Sequence, residues 1–165
     1  EKFIAYFQAF TNTYADVDTL KVRYDEALLN KDVIGLSIGT RPDCITDEIL
    51  DLIFSYTKKY HVWVEYGIQS IHDRTLRLVN RGHDYKSFEE AVIRTKNRDG
   101  IKICVHVILG LPGEDRNDMM ETARKVSSMD IDGIKLHHLY IAENTAMAED
   151  YARGDIETLK VEEYV

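Results

Sequence analysis

Cysteine is scarce in this chain of 165 residues: there are two, Cys44 and Cys104, far apart and in no C-x-x-C arrangement. That excludes a disulfide framework and offers no zinc-ligand spacing, so the pair reads as reduced, partly buried thiols. No apolar run approaches the roughly 18 residues that span a bilayer, and the N-terminus lacks the pattern of a signal peptide. Both absences point to the cytoplasm. Basic side chains are outnumbered, 21 against 29, for a formal net charge of −8 at pH 7. The chain alone is therefore no long-range attractor of phosphate backbones, which leaves nucleic acid as a partner unsupported by charge but open to a local basic patch. There is no Gly-rich phosphate loop, no cluster of metal ligands, and no serine or cysteine framed as a nucleophile elbow. Low-complexity segments and sequence repeats are also missing.

What is present suits one domain. A hydrophobic content of 44% over this length fills a single core of ordinary size. The centre of the pattern is Val62 to His72, Val-Trp-Val-Glu-Tyr-Gly-Ile-Gln-Ser-Ile-His. Its first half is rich in β-branched and aromatic residues; it then breaks at Gly67 into the polar cluster Gln69, Ser70, His72 and Asp73, as a strand delivering chemistry at its C-terminal end would. Similar runs at Lys2 to Gln8, Val33 to Ile38, Ile101 to Leu109 and Ile134 to Ile141 predict four more strands. Helical spacing predicts helices from an Asp18 cap to about Asn30, from a Thr46 cap through Tyr56, over Asp73 to Val79, Ser87 to Arg98 and Arg116 to Met129, and from Thr145 to Arg153 before an acidic tail. Alternation of strand and helix predicts parallel strands joined by right-handed crossovers. The chain opens inside a strand, which reads as a segment of a longer protein, and five strands are too few to close a barrel of this type. The expectation is an open sheet with an unpaired first strand, through which the segment would self-associate.

In parallel α/β folds the loops after the strands share one face where ligands bind. The polar residues falling there are Thr11 and Asn12, Arg41 and Asp43, Gln69 and Ser70, and the turn Gly110 to Glu114, with His106 inside the fourth strand. Such a ring of amides, hydroxyls and a few charges suits a polar small molecule with carboxylate, ribose and amine groups.

The combination Gly67-Ile68-Gln69-Ser70, Asn80-Arg81-Gly82-His83 and His106-Val107-Ile108-Leu109-Gly110-Leu111-Pro112-Gly113-Glu114 resembles the radical S-adenosylmethionine (SAM) superfamily. Within it the chain is similar to the group joining the Elongator catalytic subunit and the oxygen-independent coproporphyrinogen oxidases. The loop Thr40-Arg41-Pro42-Asp43 resembles the Elongator-like branch, and the whole looks most like the bacterial YhcC-like family. The resemblance implies a partial (β/α)6 TIM-like barrel of which these strands are the second to sixth, spanning residues 1–165 as one radical SAM core. It implies SAM and a [4Fe-4S] cluster as cofactors, an electron donor protein as partner, and a substrate that the resemblance leaves unknown, with RNA suggested by the Elongator branch. The strand carrying the Cys-x-x-x-Cys-x-x-Cys cluster loop is missing, so the cluster ligands lie outside this segment and the segment alone is expected to be inactive.

Carried over by position, Gln69 matches the family glutamine that touches ribose or the methionyl part of SAM, with Ser70 beside it. His106 takes the place of a polar residue, often aspartate, lining the same pocket. Leu109, Gly110 and Leu111 would border adenine, with Leu139 and Tyr140 on the last strand as further candidates. Thr11, Asn12 and Thr13 stand where many relatives place a Gly-Gly-Glu-type motif, and Gly39 where several place a glutamate. Arg41 would grip the methionyl carboxylate or pair with Asp43.

Other readings stay open beside these. Gln69 would otherwise tie its loop together, and His106 would be a satisfied core histidine. Glu65 is a general base or, more simply, pairs with Arg41 or Lys102. His137 and His138 are adjacent and so face opposite sides of a strand, which denies them a shared metal; no metal site is expected here. Arg81 and His83 read as a loop-stabilising turn, with a substrate role as the alternative, and Met119, Met120 and Met129 as core filler. The competing functions are a metal- or phosphate-dependent TIM-like enzyme and a non-catalytic scaffold.

Overall fold

In the computed structural model, which describes residues 1–164, the β-branched runs form five strands: β1 (Phe3–Phe7), β2 (Val33–Thr40), β3 (His61–Gln69), β4 (Ile101–Leu109) and β5 (Gly133–His138). They lie in sequence order and every neighbouring pair is parallel. Helices fill the connections: α1 (Val17–Ala27), α2 (Asp47–Tyr56), α3 (Asp73–Leu78), α4 (Tyr85–Lys96) and α5 (Arg116–Ser127), then α6 (Ala146–Arg153) and α7 (Val161–Tyr164) after β5. The sheet curls into a half-barrel, the expected partial TIM-like architecture. No helix among the described residues is long and apolar enough to cross a membrane.

Alternation along the strands separates two environments. Leu36, Ile38, Val62, Val64, Tyr66, Ile68, Ile103, Val105 and Val107 point to the helices and are almost fully buried against Leu20, Tyr24, Leu50, Ile53, Phe88, Val92 and Val126. Edge-to-face aromatic pairs lock this layer: Phe7 with Tyr24 at 5.1 Å and Tyr66 with Phe88 at 6.3 Å between ring centres. The buried phenols are satisfied, Tyr24 by Asn12 O at 2.8 Å and Tyr66 by Thr95 Oγ1 at 2.7 Å. The opposite, concave face carries Tyr6, Ser37, Trp63, Glu65, Cys104 and Lys135. Polar side chains here line the inside of the half-barrel instead of a core.

Strand β1 pairs on one side with β2, and Phe3, Ile4 and Tyr6 on it are 51%, 44% and 41% exposed. An edge of this kind was expected of the first strand.

Several details differ from the sequence expectation, four of them in what surrounds the strand ends and caps. Helix α1 is capped by Asp16, whose carboxylate accepts from Thr19 N at 2.8 Å, in place of Asp18, which lies in the first turn. Helix α4 begins at Tyr85 under an Asp84 cap. Strand β5 stops at His138, leaving Leu139 and Tyr140 beyond it. The acidic tail folds back as α7, with Leu159 O accepting from His138 Nε2 at 3.3 Å and Tyr164 edge-on to the His138 ring.

Candidate functional site at the strand ends

A cavity of about 280 Å³ opens where the C-terminal ends of β1 to β4 meet, lined by Gln8, Thr11, Arg41, Gly67, Gln69, Arg81 and His106 among others. Its centre is set by a bulge in β3. Gly67 pairs with His106 but Gln69 pairs with Val107, so Ile68 is an extra residue and Gln69 is re-aimed. Gln69 sits at φ 71°, in the left-handed region that disfavours a side chain, and its Oε1 is buried without a hydrogen-bond partner. An unmet acceptor held in a strained backbone is poised for an outside donor.

Arg81 supplies the complementary group. Its Nη2 donates to Gly67 O at 2.8 Å while its Nε is buried and unpartnered. Burial lowers the proton affinity of this guanidinium and the Arg41 charge lowers it further. No carboxylate pairs with Arg81 among the described residues. A side chain at position 67 would collide with this arrangement, since a Cβ there would lie 2.6 Å from both Arg81 Nη2 and Gln69 Nε2. His83 Nε2 is 3.2 Å from the same Gly67 O. The turn role expected for Arg81 and His83 is thus present, and Arg81 also lines the cavity, the place that the alternative substrate role requires.

Other expected residues are distributed more widely. Arg41 lines the cavity and pairs with Asp43 through Nε at 3.0 Å and Nη2 at 2.6 Å, with a further bond from Nη2 to Gly82 O at 3.1 Å. Thr11 lines the cavity. Asn12 is engaged in structure: its Nδ2 donates to Phe7 O, Ala9 O and Gly39 O. Those bonds support Ala9 and Phe10, two consecutive non-glycine residues at φ 65° and 62° on the cavity rim. Ser70 is fully buried, bonded to the Glu114 carboxylate and accepting from His72 N. It fastens β3 to the Leu111 to Glu114 turn and does not line the cavity. Gly110 is covered by Leu159, whose Cγ would lie 2.8 Å from a Cβ there, Leu111 is buried, and Tyr140 is 85% exposed.

Deeper on the concave face stands Glu65, 5% exposed. It accepts from Tyr6 OH of β1 at 2.8 Å, Ser37 Oγ of β2 at 2.5 Å, His106 Nε2 of β4 at 2.6 Å and Lys135 Nζ of β5 at 2.6 Å. Burial pulls its carboxyl upward, and the Lys135 ammonium with the three other donors overcomes this, holding it down to about 2. The expected partners were Arg41 and Lys102. Arg41 is committed to Asp43, and Lys102 lies over the Trp63 ring at 5.3 Å. Glu65, Cys104 and His106 bring ligand-type atoms within 4.8 Å of one another, but the ammonium already neutralises the carboxylate. His137 and His138 face opposite sides as expected: His137 Nε2 lies 2.9 Å from His106 Nδ1, and His138 turns to Leu159 O. Both nitrogens of His106 are thereby used within the chain.

Comparison with known proteins matches this arrangement to a family. Residues 2–126 match the model of the radical SAM superfamily and residues 131–165 that of the Radical_SAM C-terminal domain. The chain is 44% identical to YtqA of Bacillus subtilis over 99% of its own length and 51% of that protein. It is 30% identical to a tRNA uridine(34) acetyltransferase of Methanocaldococcus infernus over 80% of its length and 24% of the relative. The chain therefore spans about half the length, or less, of these relatives. Among solved structures, the archaeal Elp3 of Methanocaldococcus infernus superposes with a TM-score of 0.81 at 22% identity, covering 98% of this chain and 42% of that one. Coproporphyrinogen III oxidase (HemN) of Escherichia coli follows at 0.72 and 18%, covering 97% and 37%.

Proposed function

The chain belongs to the radical SAM superfamily, whose members use SAM and a [4Fe-4S] cluster, and on that premise we propose that the cavity at the strand ends is the SAM site of a cytoplasmic radical SAM enzyme. The observation that carries this reading is that two residues lining one cavity, Gln69 and Arg81, each hold a buried polar atom with no partner among the described residues, Gln69 Oε1 and Arg81 Nε. Their chemistry fits the cosubstrate: an amide oxygen accepts from a ribose hydroxyl or the methionyl ammonium, and a desolvated guanidinium without a carboxylate partner takes the methionyl carboxylate. Arg41, Thr11 and the Ala9 to Phe10 backbone complete the rim. Leu109, Gly110 and Leu111 are the candidates to border adenine from β4, with the backbone as the polar contributor, since Leu159 caps the bare face of Gly110.

SAM held beside a reduced cluster supplies a 5′-deoxyadenosyl radical in this superfamily. This chain's residues do not hold the cluster. Cys44 lies on the turn after β2 and Cys104 on β4, and two separated thiols cannot supply three thiolates. What the chain contributes is binding and orientation: Arg81 fixes one end of the ligand, Gln69 the sugar side, and Glu65 stays ionised beneath them. An electron donor protein is required by the same reading. RNA is the substrate class we favour, supported by the relationship to the tRNA uridine(34) acetyltransferase and by the structural likeness to Elp3.

The test is anaerobic reconstitution of the full-length protein with iron and sulfide. Visible absorption from an iron–sulfur cluster and reductant-dependent release of 5′-deoxyadenosine from SAM are the expected results. Calorimetric SAM binding that is unaltered in Arg81→Met and Gln69→Ala would overturn the site assignment while leaving the family intact.

A further inference from the structure

A second constellation lies on the concave face, made by Glu65, His106 and His137. An ionised carboxylate only accepts hydrogen bonds, so His106 Nε2, 2.6 Å from Glu65 Oε2, carries the proton. In the neutral ring Nδ1 is then an acceptor. His137 Nε2, 2.9 Å from that Nδ1, is the donor. The hydrogen-bonded series ends at His137 Nδ1, which keeps its lone pair on an exposed side chain. The two rings lie 4.9 Å apart between centres and 22° from parallel. One buried anion thus fixes the tautomers of two imidazoles in series.

We propose that Glu65, His106 and His137 form a proton relay whose outer terminus, His137 Nδ1, takes a proton from an N–H or O–H group of a substrate lying inside the half-barrel. In that step the substrate's N–H or O–H bond breaks and its electron pair stays on the substrate, while a new N–H bond forms at His137 Nδ1. The Nε2 proton of His137 crosses to His106 Nδ1. The product state is an imidazolium at His106 held against the Glu65 carboxylate, with His137 neutral again. No electron changes hands and no further reactant is needed. Run backwards, the same relay donates a proton.

The surroundings favour this use over a purely structural pair. The groups facing the relay are Tyr6 from β1, Ser37 from β2, Glu65 itself from β3, Cys104 beside His106 on β4, and Lys135 on β5, with Arg41 and Arg81 across the cavity that His106 borders. Lys135 keeps Glu65 anionic. Burial and the nearby Lys135 charge lower the proton affinity of His137, so it rests as a neutral base at pH 7. Imidazoles serving only as packing have no need of an ionised carboxylate behind them.

The relay requires neither bound SAM nor a cluster, so its test is separate from that of the SAM site. The measurement is long-range proton–nitrogen NMR of the full-length protein labelled with ¹⁵N-histidine, followed from pH 5 to 9. The expected result is Nε2–H tautomers for both His106 and His137 near pH 7. Replacing His106 with Gln removes the group that takes up the relayed proton against Glu65, and is expected to lower the proton affinity of His137 by about threefold or more. His137→Asn, at an exposed position, supplies a folded reference and should perturb the His106 titration in turn. An Nδ1–H tautomer at either ring, or a His137 titration that is unchanged in His106→Gln, would overturn the proposal.

Discussion

Lys135 on β5 reaches past β4 to place its Nζ 2.6 Å from Glu65 Oε2 on β3, while Tyr6 on β1 meets the same carboxylate at 2.8 Å from the other side. Strands that share no backbone hydrogen bonds are thus joined through one buried anion. Removing Lys135 leaves that anion without its cation, but the Lys135 side chain is 40% exposed and solvent screens the pair, so the cost falls below that of a fully buried pair. Lys135→Met is expected to lower unfolding stability by about 1–2 kcal/mol in urea titrations followed by circular dichroism. Unchanged stability would mean that the remaining donors suffice.

The same contact has a pH signature. The carboxyl of Glu65 falls from an ordinary 4.5 to about 2 in the folded chain. A lowered folded value contributes stability that is complete above the unfolded value and fades as pH drops through the folded one. Stability from this group should therefore be full above about pH 5, decline from about pH 4.5, and be gone below about pH 2. Glu65→Gln should flatten that part of the acid unfolding curve. A slope identical to the parent protein would place the acid sensitivity elsewhere.

Arg81 and Gln69 separate binding from stability. Arg81→Met removes the desolvated cation proposed to take a carboxylate, and SAM affinity should weaken by about tenfold or more in calorimetry. Arg81→Lys keeps a charge but loses the planar fork, so it should restore affinity only in part. Equal affinity in all three proteins would remove Arg81 from the site.

Two glycines predict opposite outcomes. A Cβ at Gly35 would lie 2.4 Å from His61 O, a backbone atom of the paired strand. Gly35→Ala should cost about 2–3 kcal/mol of stability because the β2 to β3 pairing must shift. A Cβ at Gly67 meets only the ends of Arg81 and Gln69, which move easily. Gly67→Ala should leave the melting temperature within a few degrees and weaken SAM binding, by displacing both proposed ligands. Comparable destabilisation by the two changes would contradict the distinction.

Ser70 tests a role that differs from the sequence expectation. Its hydroxyl holds the Glu114 carboxylate and the His72 amide, so Ser70→Ala should cost about 1–2 kcal/mol and loosen the Leu111 to Glu114 turn to proteolysis. A selective loss of SAM affinity with the turn intact would return Ser70 to the cavity.

Five parallel strands were legible because each is a short run rich in apolar residues closed by a polar break, and the Gly67 to Gln69 break marked a cavity position directly. The bulge that turns Gln69 inward was not legible, since it is a register event between two strands and leaves no residue signature. Glu65 was recognised as needing a cation, but its partner lies 70 residues away on a strand two places removed, and only the curl of the sheet brings Lys135 near. The choice between Asp16 and Asp18 as cap turned on backbone geometry that two similar carboxylates do not reveal. Arg81 read first as a turn residue because it sits in the Asn80-Arg81-Gly82-His83 interruption between two helical patterns; its bond to Gly67 O, 14 residues back, and its unmatched Nε exist only in three dimensions.

The donors converging on Glu65 also act as a gauge. Two side-chain lengths and one carboxylate measure out the separation between the first and fifth strands, so the girth of the half-barrel is written into a single residue at its waist. Changes around the mouth, at Gln8, Arg41, Gln69 or Arg81, retune what is gripped without resizing the vessel, whereas any exchange at position 65 alters its bore.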